Sequence, residues 1–247
     1  MDLNLSTSWG SEELGGAARE AGRGLLDRVA PPYDLTSDML IVFARAPLAP
    51  LQRAFPQHPF LNVGGQALLA AWFSRITQAV YTDEWGRRVS DGGPGAALYH
   101  ELNIAVARRG PSLFVPRIYA TSARTIGIAW HYGMPKQPIA MSFAATGGHV
   151  VSEARHDVGH SFVRTRFTGG GETLGRLLDN LWPLRVGPAV FPVGSAVNPT
   201  LTASPHVQLA QVEAGHLDPG APWLPEPTPF LPFGVYLAGF AMQLPPP

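Results

Sequence analysis

Glycine and proline interrupt this sequence along its whole length. The 247 residues include 27 glycines and 25 prolines, and these are spread through the chain rather than gathered into one linker. Both residue types favour turns and end regular elements, so the pattern predicts many short elements joined by turns instead of long helices. No apolar run reaches the roughly 18 residues of a membrane-spanning helix, and no membrane segment is expected.

Several segments between these breakers have the alternation and β-branched content of strands. We predict strands over residues 39–45, 96–108 and 112–120, and a three-strand meander over 138–168 with turns at Gly147-Gly148 and near 157–159. Residues 65–81 fit either a strand or a helix, and the alternation in their second half favours a strand. Residues 96–167 should form neighbouring antiparallel strands interrupted by one helix. Residues 83–95 are expected to be a loop, and residues 185–243 are expected to form several short strands divided by proline and glycine.

Helical signals are fewer. A possible Ser11 cap and early acidic residues predict a helix over 11–29, and prolines close a short helix within 46–60. A Ser122 cap and Gly133 bound a helix over 122–133. Residues 171–184 fit a short helix or irregular structure. Together the predicted strands and helices indicate one β-rich α+β domain over residues 1–247, with residues 1–30 as an N-terminal helical extension.

Charge and cysteine content exclude several functional classes. The chain has 18 acidic and 18 basic residues and a formal net charge of zero, so it lacks the cationic excess that nucleic acid or an anionic membrane requires. It has no cysteine, which excludes disulfides and thiolate metal sites and favours a cytoplasmic location. The amino-terminal residues do not have the pattern of a secretion signal. His156 and His160 have no evident third ligand, so no metal is expected.

Lys136 is the single lysine among the 18 basic residues, and the other 17 are arginine. Its neighbours are apolar, with Met134 and Pro135 before it and Pro138 and Ile139 shortly after it. A lysine amine can attack a ketone to form a Schiff base, whereas a guanidinium stays protonated and cannot. Burial favours the neutral amine. Two interpretations follow: a catalytic amine in a pocket, or a surface lysine without a role.

The order of motifs before Lys136 is more specific than any one of them. A strand carries Tyr99 and Glu101, the next strand ends at Tyr119, the helix over 122–133 follows, and Gly133-Met134-Pro135-Lys136 comes last. Over about residues 32–150 this order resembles the acetoacetate decarboxylase superfamily. The resemblance implies a cone-shaped, mostly antiparallel β-barrel with short peripheral helices, no cofactor, and a homo-oligomer.

The same resemblance implies roles for individual residues. Lys136 matches the imine-forming lysine, and Glu101 matches the glutamate that moves protons or positions substrate. The expected substrate-binding residues are Tyr99, Tyr119, Trp130, Met134 and Gln137. Gln137 stands where the family has a second lysine, Ala129 and Trp130 replace an Arg-Glu pair, and an arginine of the opening segment has no counterpart. These differences argue against acetoacetate as substrate and suggest a larger, more apolar pocket.

Three functions are consistent with these residues. The first is a biosynthetic lyase that acts on a small-molecule keto substrate, not acetoacetate itself, through a Lys136 Schiff base, by decarboxylation or by aldol and dehydration chemistry. The second is a cyclase of secondary metabolism that forms no imine, and the third is a small-molecule binder without catalysis. For Glu101 a further alternative is that the face shared by Tyr99, Glu101 and Asn103 is simply exposed to solvent.

Overall fold

Antiparallel strands dominate the protein in a computed structural model that describes residues 29–93, 96–110, 112–156, 158–169, 188–192, 194–203 and 206–245. The described strands are β1 (Val29–Pro47), β2 (Gln66–Asp83), β3 (Arg88–Gly92), β4 (Tyr99–Ala107), β5 (Leu113–Ala120), β6 (Lys136–Pro138), β7 (Ala140–Thr146), β8 (His149–His156), β9 (Gly159–Thr168), β10 (Ala189–Val190), β11 (Ala196–Val197), β12 (Thr200–Ala203), β13 (His206–Leu217) and β14 (Thr228–Leu244). Two helices are described, α1 (Leu48–Ala54) and α2 (Ala123–His131).

All these strands belong to one sheet. Its main order is β11-β10-β5-β4-β2-β1-β14-β13-β9-β8-β7, and β3, β6 and β12 pair with β2, β5 and β14, respectively. The pairing is antiparallel except where β5 meets β6 and β10. A mostly antiparallel, curled sheet with a few short helices confirms the predicted β-rich α+β class.

Apolar side chains cover both faces of the β4 region. One face contributes Leu102 and Ile104 to the larger core cluster, and the other contributes Ala105 to a smaller cluster that includes Ala129 of α2. Glu101 is therefore buried, with 7% of its surface exposed. The alternative of a solvent-exposed Tyr-Glu-Asn face is wrong, because α2 and its flanking residues cover that side of the sheet.

The prediction of several short strands over 185–243 is wrong for its second half. β13 and β14 are 12 and 17 residues long, and β14 continues through Pro232, where the registers with both β1 and β13 are interrupted. Proline is tolerated in a strand at such irregularities because it has no N–H to donate. Gly234 permits close strand contact, since a Cβ there would lie 2.7 Å from the Ile41 carbonyl oxygen.

The segment predicted as a loop over 83–95 contains β3, which forms a hairpin with β2. Gly92 ends that hairpin with φ +79°, and a Cβ on it would lie 2.2 Å from the Thr77 carbonyl oxygen. No other residue type would fit this position without a shift of the backbone. Through this hairpin β3 supplies a charged residue, Asp91, to the candidate site.

The predicted strands over 96–167 form, but they are not all neighbours. β4 and β5 lie together, while β7, β8 and β9 lie at the far end of the sheet, beyond β2, β1, β14 and β13. The predicted helix over 122–133 is α2, and the Ser122 Oγ accepts a hydrogen bond from the Thr125 N–H at 3.5 Å. The predicted helices over 11–29, apart from residue 29 in β1, and over 171–184 lie outside the described residues.

Neither described helix combines the length and apolarity needed to cross a membrane.

Candidate active site

Backbone contacts on both sides of Lys136 fix its position. Gly133, two residues after the end of α2, takes a positive φ of 71° and turns the chain back towards the sheet. The Lys136 N–H then donates to the Met134 carbonyl at 2.8 Å, and the Ile118 N–H donates to the Pro135 carbonyl at 3.1 Å. β6 thereby pairs in parallel with β5, with Lys136 opposite Ile118. The Gly-Met-Pro-Lys motif is a short connection that delivers the lysine to the sheet.

Lys136 forms a buried salt bridge with Glu101. Its Nζ donates to the Glu101 Oε1, and the two side chains are only 8% and 9% exposed. The Asn103 Nδ2 donates to the second carboxylate oxygen at 3.5 Å, and the Nζ lies 6.0 Å from the centre of the Tyr99 ring. The amine and the carboxylate are thus held together in a site from which most water is excluded.

A cavity of about 150 Å³ opens at Lys136. Its lining is mostly apolar and aromatic, and it includes Lys136 but not the Glu101 carboxylate to which Lys136 is bonded. The described residues that line it are Tyr33, Leu35, Ala79, Tyr81, Asp91, Leu98, Tyr99, Ser122, Arg124, Thr125, Ile128, Ala129, Tyr132, Met134, Lys136 and Leu244. Small-molecule sites typically have this character, with few polar groups among many apolar ones.

The buried tyrosines of the cavity remain neutral hydroxyls at neutral pH. Burial raises the pKa of Tyr33 to about 12. Burial also raises the pKa of Tyr132, and burial together with the Glu101 carboxylate raises the pKa of Tyr99 well above its usual value. These side chains can donate or accept hydrogen bonds, but they add no charge to the cavity.

Arg124 and Asp91 form a second ion pair where the cavity meets solvent. The Arg124 Nη1 lies 3.1 Å from the Asp91 Oδ2, with side chains 44% and 38% exposed. The Tyr81 hydroxyl donates to the same oxygen at 2.8 Å, and the guanidinium lies 4.8 Å from the centre of the Tyr81 ring. Burial lowers the pKa of Arg124, but Tyr81 and Asp91 outweigh it and raise that pKa overall. The Arg124 guanidinium therefore stays charged.

Tyr33, Tyr81, Asp91, Arg124 and Tyr132 were not predicted as site residues. Asp91 lay in a segment interpreted as a loop, although residues 88–92 alternate in a way that fits the observed hairpin. No sequence pattern distinguishes Arg124 from the other arginines of the chain, which has 17 in total. Its position in the first turn of α2 places it at the cavity. Tyr33 and Tyr132 lie within the part of the chain that resembles the family. The alternation of polar and apolar residues there does not show that their side chains face a cavity.

Of the predicted substrate-binding residues, Tyr99 and Met134 line the cavity. Tyr119 and Gln137 do not, because they point to the opposite face of the sheet from Ile118 and Lys136. The Gln137 Oε1 accepts a hydrogen bond from the Arg117 Nη1. Neither residue takes part in this cavity, and a role for them in substrate binding stays a prediction. Trp130 belongs to α2, but its side chain lies outside the described part of the chain.

Tyr119 has a structural role in the larger core. Its hydroxyl donates to the Pro219 carbonyl at 2.6 Å, and its ring stacks on the His156 ring with centres 4.9 Å apart. Removing the donor leaves a buried carbonyl oxygen without this partner, which is unfavourable.

We therefore expect Tyr119→Phe to lower the free energy of unfolding by about 1–2 kcal/mol without changing chemistry at Lys136. Urea unfolding measures the first effect, and labelling of Lys136 by a ketone and borohydride measures the second. If the variant has unchanged stability and loses labelling of Lys136, Tyr119 acts at the substrate site and not in the core.

The His156 and His160 positions are occupied with protein contacts. The His156 Nε2 lies 3.1 Å from the Asp218 carbonyl oxygen, and the His160 Nε2 lies 2.8 Å from the Glu153 Oε1. Within the described ranges, no cluster of three or more histidine, aspartate or glutamate residues is placed to hold a metal ion.

No protein-family model and no curated protein matches the chain. Several solved structures are similar to it. A structure of acetoacetate decarboxylase matches 89% of both chains with a TM-score of 0.57 and 13% identity. An acetoacetate decarboxylase-like enzyme from Sphingomonas wittichii RW1 matches over 89% of this chain and 92% of its own, with a TM-score of 0.52 and 16% identity.

The enduracididine biosynthesis enzyme MppR in complex with pyruvate matches over 87% of this chain and 88% of its own, with a TM-score of 0.53 and 15% identity. At these identities the similarity establishes the architecture, and it agrees with the order of motifs around Lys136. This chain is a divergent representative of the acetoacetate decarboxylase-like fold.

Proposed function

We propose that this protein is a carbon–carbon lyase that forms a Schiff base between Lys136 and a small keto compound. The observation that carries the proposal is the position of the chain's single lysine: buried, bonded to a carboxylate, and open to an apolar cavity. A surface lysine without a role would have its amine in water. The fold similarity to enzymes, one of them in complex with the keto acid pyruvate, supports the same class.

Imine formation requires a neutral amine. In the proposed mechanism the Lys136 ammonium passes a proton to the Glu101 carboxylate, to which it is already hydrogen-bonded. The Nζ lone pair then attacks the carbonyl carbon, and a proton from nitrogen moves to the new alkoxide to give a carbinolamine. Glu101 returns its proton to the carbinolamine hydroxyl, which leaves as water. The product is a protonated imine beside the regenerated carboxylate.

The protonated imine acts as an electron sink for the next step. It accepts the electron pair of an adjacent carbon–carbon bond when carbon dioxide or an aldehyde leaves, and it accepts the pair of a C–H bond when the α-proton is removed. Either route gives an enamine in which nitrogen is neutral. The apolar lining excludes water, so the imine is protected from early hydrolysis.

The second candidate is a cyclase that forms no imine. The observation that favours it is the cavity lining, because several neutral tyrosines in an apolar enclosure could fold a substrate and polarise its carbonyl by hydrogen bonds alone. In that case Lys136 and Glu101 would serve as a buried structural pair.

Borohydride trapping distinguishes the two candidates. The protein is incubated with ketones and borohydride, and the intact mass and peptide map are recorded. An imine gives an increase equal to the ketone mass less one oxygen atom, located at Lys136, and the α-amino group of the protein serves as an internal reference amine. The lyase proposal expects Lys136 to be labelled far faster than the reference. Labelling only of the reference amine would contradict it and favour the cyclase.

A further inference from the structure

Each cation among the described residues that line the cavity already has a carboxylate partner. Lys136 is bonded to Glu101, and Arg124 is bonded to Asp91. These two pairs are charge-balanced before any ligand enters. The balance persists during the proposed chemistry, because the protonated imine formed on Lys136 again faces the Glu101 carboxylate.

A ligand carboxylate would disturb this balance. Inside the cavity it would meet apolar side chains and tyrosines whose hydroxyls are neutral, and it would lie near Glu101 and Asp91, which repel it. Burying a charge without a compensating partner is strongly unfavourable. Arg124 could compensate it only in part, because its positive charge already offsets that of Asp91 and its guanidinium lies over the Tyr81 ring.

We propose that the substrate of this site is an uncharged ketone, one that carries no carboxylate next to its carbonyl group. This inference rests on the proposed Schiff-base function and narrows it. The tyrosine hydroxyls suit a neutral carbonyl or amide oxygen, which accepts hydrogen bonds without requiring a countercharge. A cavity of about this size encloses a group as large as benzene, so the reacting end of the substrate is small.

A neutral ketone cannot lose carbon dioxide, so the chemistry is of the aldol type. The imine forms on Lys136, Glu101 takes the α-proton, and the C–H electron pair makes the enamine. The enamine carbon attacks the carbonyl carbon of an aldehyde co-substrate, and the new alkoxide takes the proton from Glu101. The carbon–carbon bond is then complete, and water hydrolyses the protonated imine to release the β-hydroxy ketone and restore the Lys136 ammonium. The reverse sequence cleaves the same bond.

Pyruvate and its isosteric amide, pyruvamide, test the inference. Both have the same ketone and the same number of heavy atoms, and only the carboxylate is charged. The borohydride labelling rate of Lys136 with each compound is divided by the rate for Nα-acetyl-lysine under the same conditions, which removes the difference in intrinsic reactivity. We expect the normalised rate for pyruvamide to exceed that for pyruvate by roughly tenfold to a hundredfold, the usual cost of an uncompensated charge.

The variant Asp91→Asn tests whether the balanced charge of the Arg124–Asp91 pair causes the preference for the uncharged ketone. It leaves Arg124 without its carboxylate, so the pyruvate-to-pyruvamide ratio should rise about threefold to fivefold, the size expected for a partly exposed pair. Glu153→Gln is the matched control: Glu153 has the same charge, is 37% exposed and pairs with Arg155, but it lies on β8 and does not line the cavity. Its ratio should equal that of the wild type.

The outcomes are distinguishable. Preferential labelling by pyruvate, or an Asp91→Asn ratio equal to that of the control, overturns the inference and leaves the Schiff-base function intact. Absence of Lys136 labelling by either compound and by other neutral ketones overturns the Schiff-base function and the inference with it.

Discussion

Lys136→Arg is expected to fold and to lose nearly all turnover, by at least about a thousandfold. Arginine keeps the positive charge opposite Glu101, so a buried ion pair can still form at this position. It removes only the nucleophile, because a guanidinium does not become neutral at working pH. Turnover is measured with whichever ketone labels the wild-type protein, and the same variant should show no borohydride label in its 133–140 segment.

A guanidinium is bulkier than an ammonium and would narrow the cavity, so Lys136→Met is the companion variant. Methionine is unbranched, apolar and adaptable in a tight site. Both variants should lose turnover if the amine reacts. Wild-type turnover in Lys136→Met would show that no Schiff base is formed, even if the arginine variant were inactive through crowding.

The parts of the site that sequence reasoning located are those encoded by local order. Lys136 was identified because it is the single lysine in an apolar segment, and Glu101 because it precedes Lys136 in a recognisable order of motifs. The helix before Lys136 was located by Ser122 and Gly133, since a cap and a left-handed glycine are local signals. These features do not depend on distant contacts.

Two of the predicted substrate-binding residues, Tyr119 and Gln137, do not line the cavity because of the direction of their side chains. Lys136 and Gln137 are consecutive residues of β6, and consecutive side chains of a strand point to opposite faces. Gln137 could therefore have been excluded from the cavity once Lys136 was placed there. Tyr119 pairs with Gln137 across β5 and β6, so the same alternation removes it, but that register could not be known before the structure.

Contacts between distant parts of the chain explain why the length of β14 and the site residues Asp91 and Arg124 were not predicted. β14 tolerates Pro232 only because both neighbouring strands lose register there, and those interruptions are properties of the sheet rather than of residues 228–244. Asp91 and Arg124 are 33 residues apart in sequence, and only the β2–β3 hairpin and the start of α2 bring them together. Their pairing removes a free cation from the cavity lining, which no local pattern indicated.

Glu101→Gln is expected to separate imine formation from turnover. The amide cannot accept the ammonium proton or return it to the carbinolamine, so turnover should fall by about 10²–10⁴-fold, the usual contribution of general acid–base catalysis. The Lys136 amine is still present, so borohydride with a neutral ketone should still label it on long incubation. Wild-type turnover would contradict a proton-transfer role, and complete loss of labelling would assign Glu101 to positioning the amine instead.

The same variant should also destabilise the protein, and a double variant shows why. Glu101→Gln leaves the Lys136 amine in a site where its side chain is 8% exposed, and breaking a buried pair from one side costs about 3–5 kcal/mol. In Glu101→Gln/Lys136→Met both partners are neutral, so we expect the free energy of unfolding, measured by urea denaturation, to recover most of that loss. If the double variant is as unstable as the sum of the single variants, the two residues are not energetically coupled. The contact between Nζ and Oε1 would then contribute nothing to the free energy of unfolding.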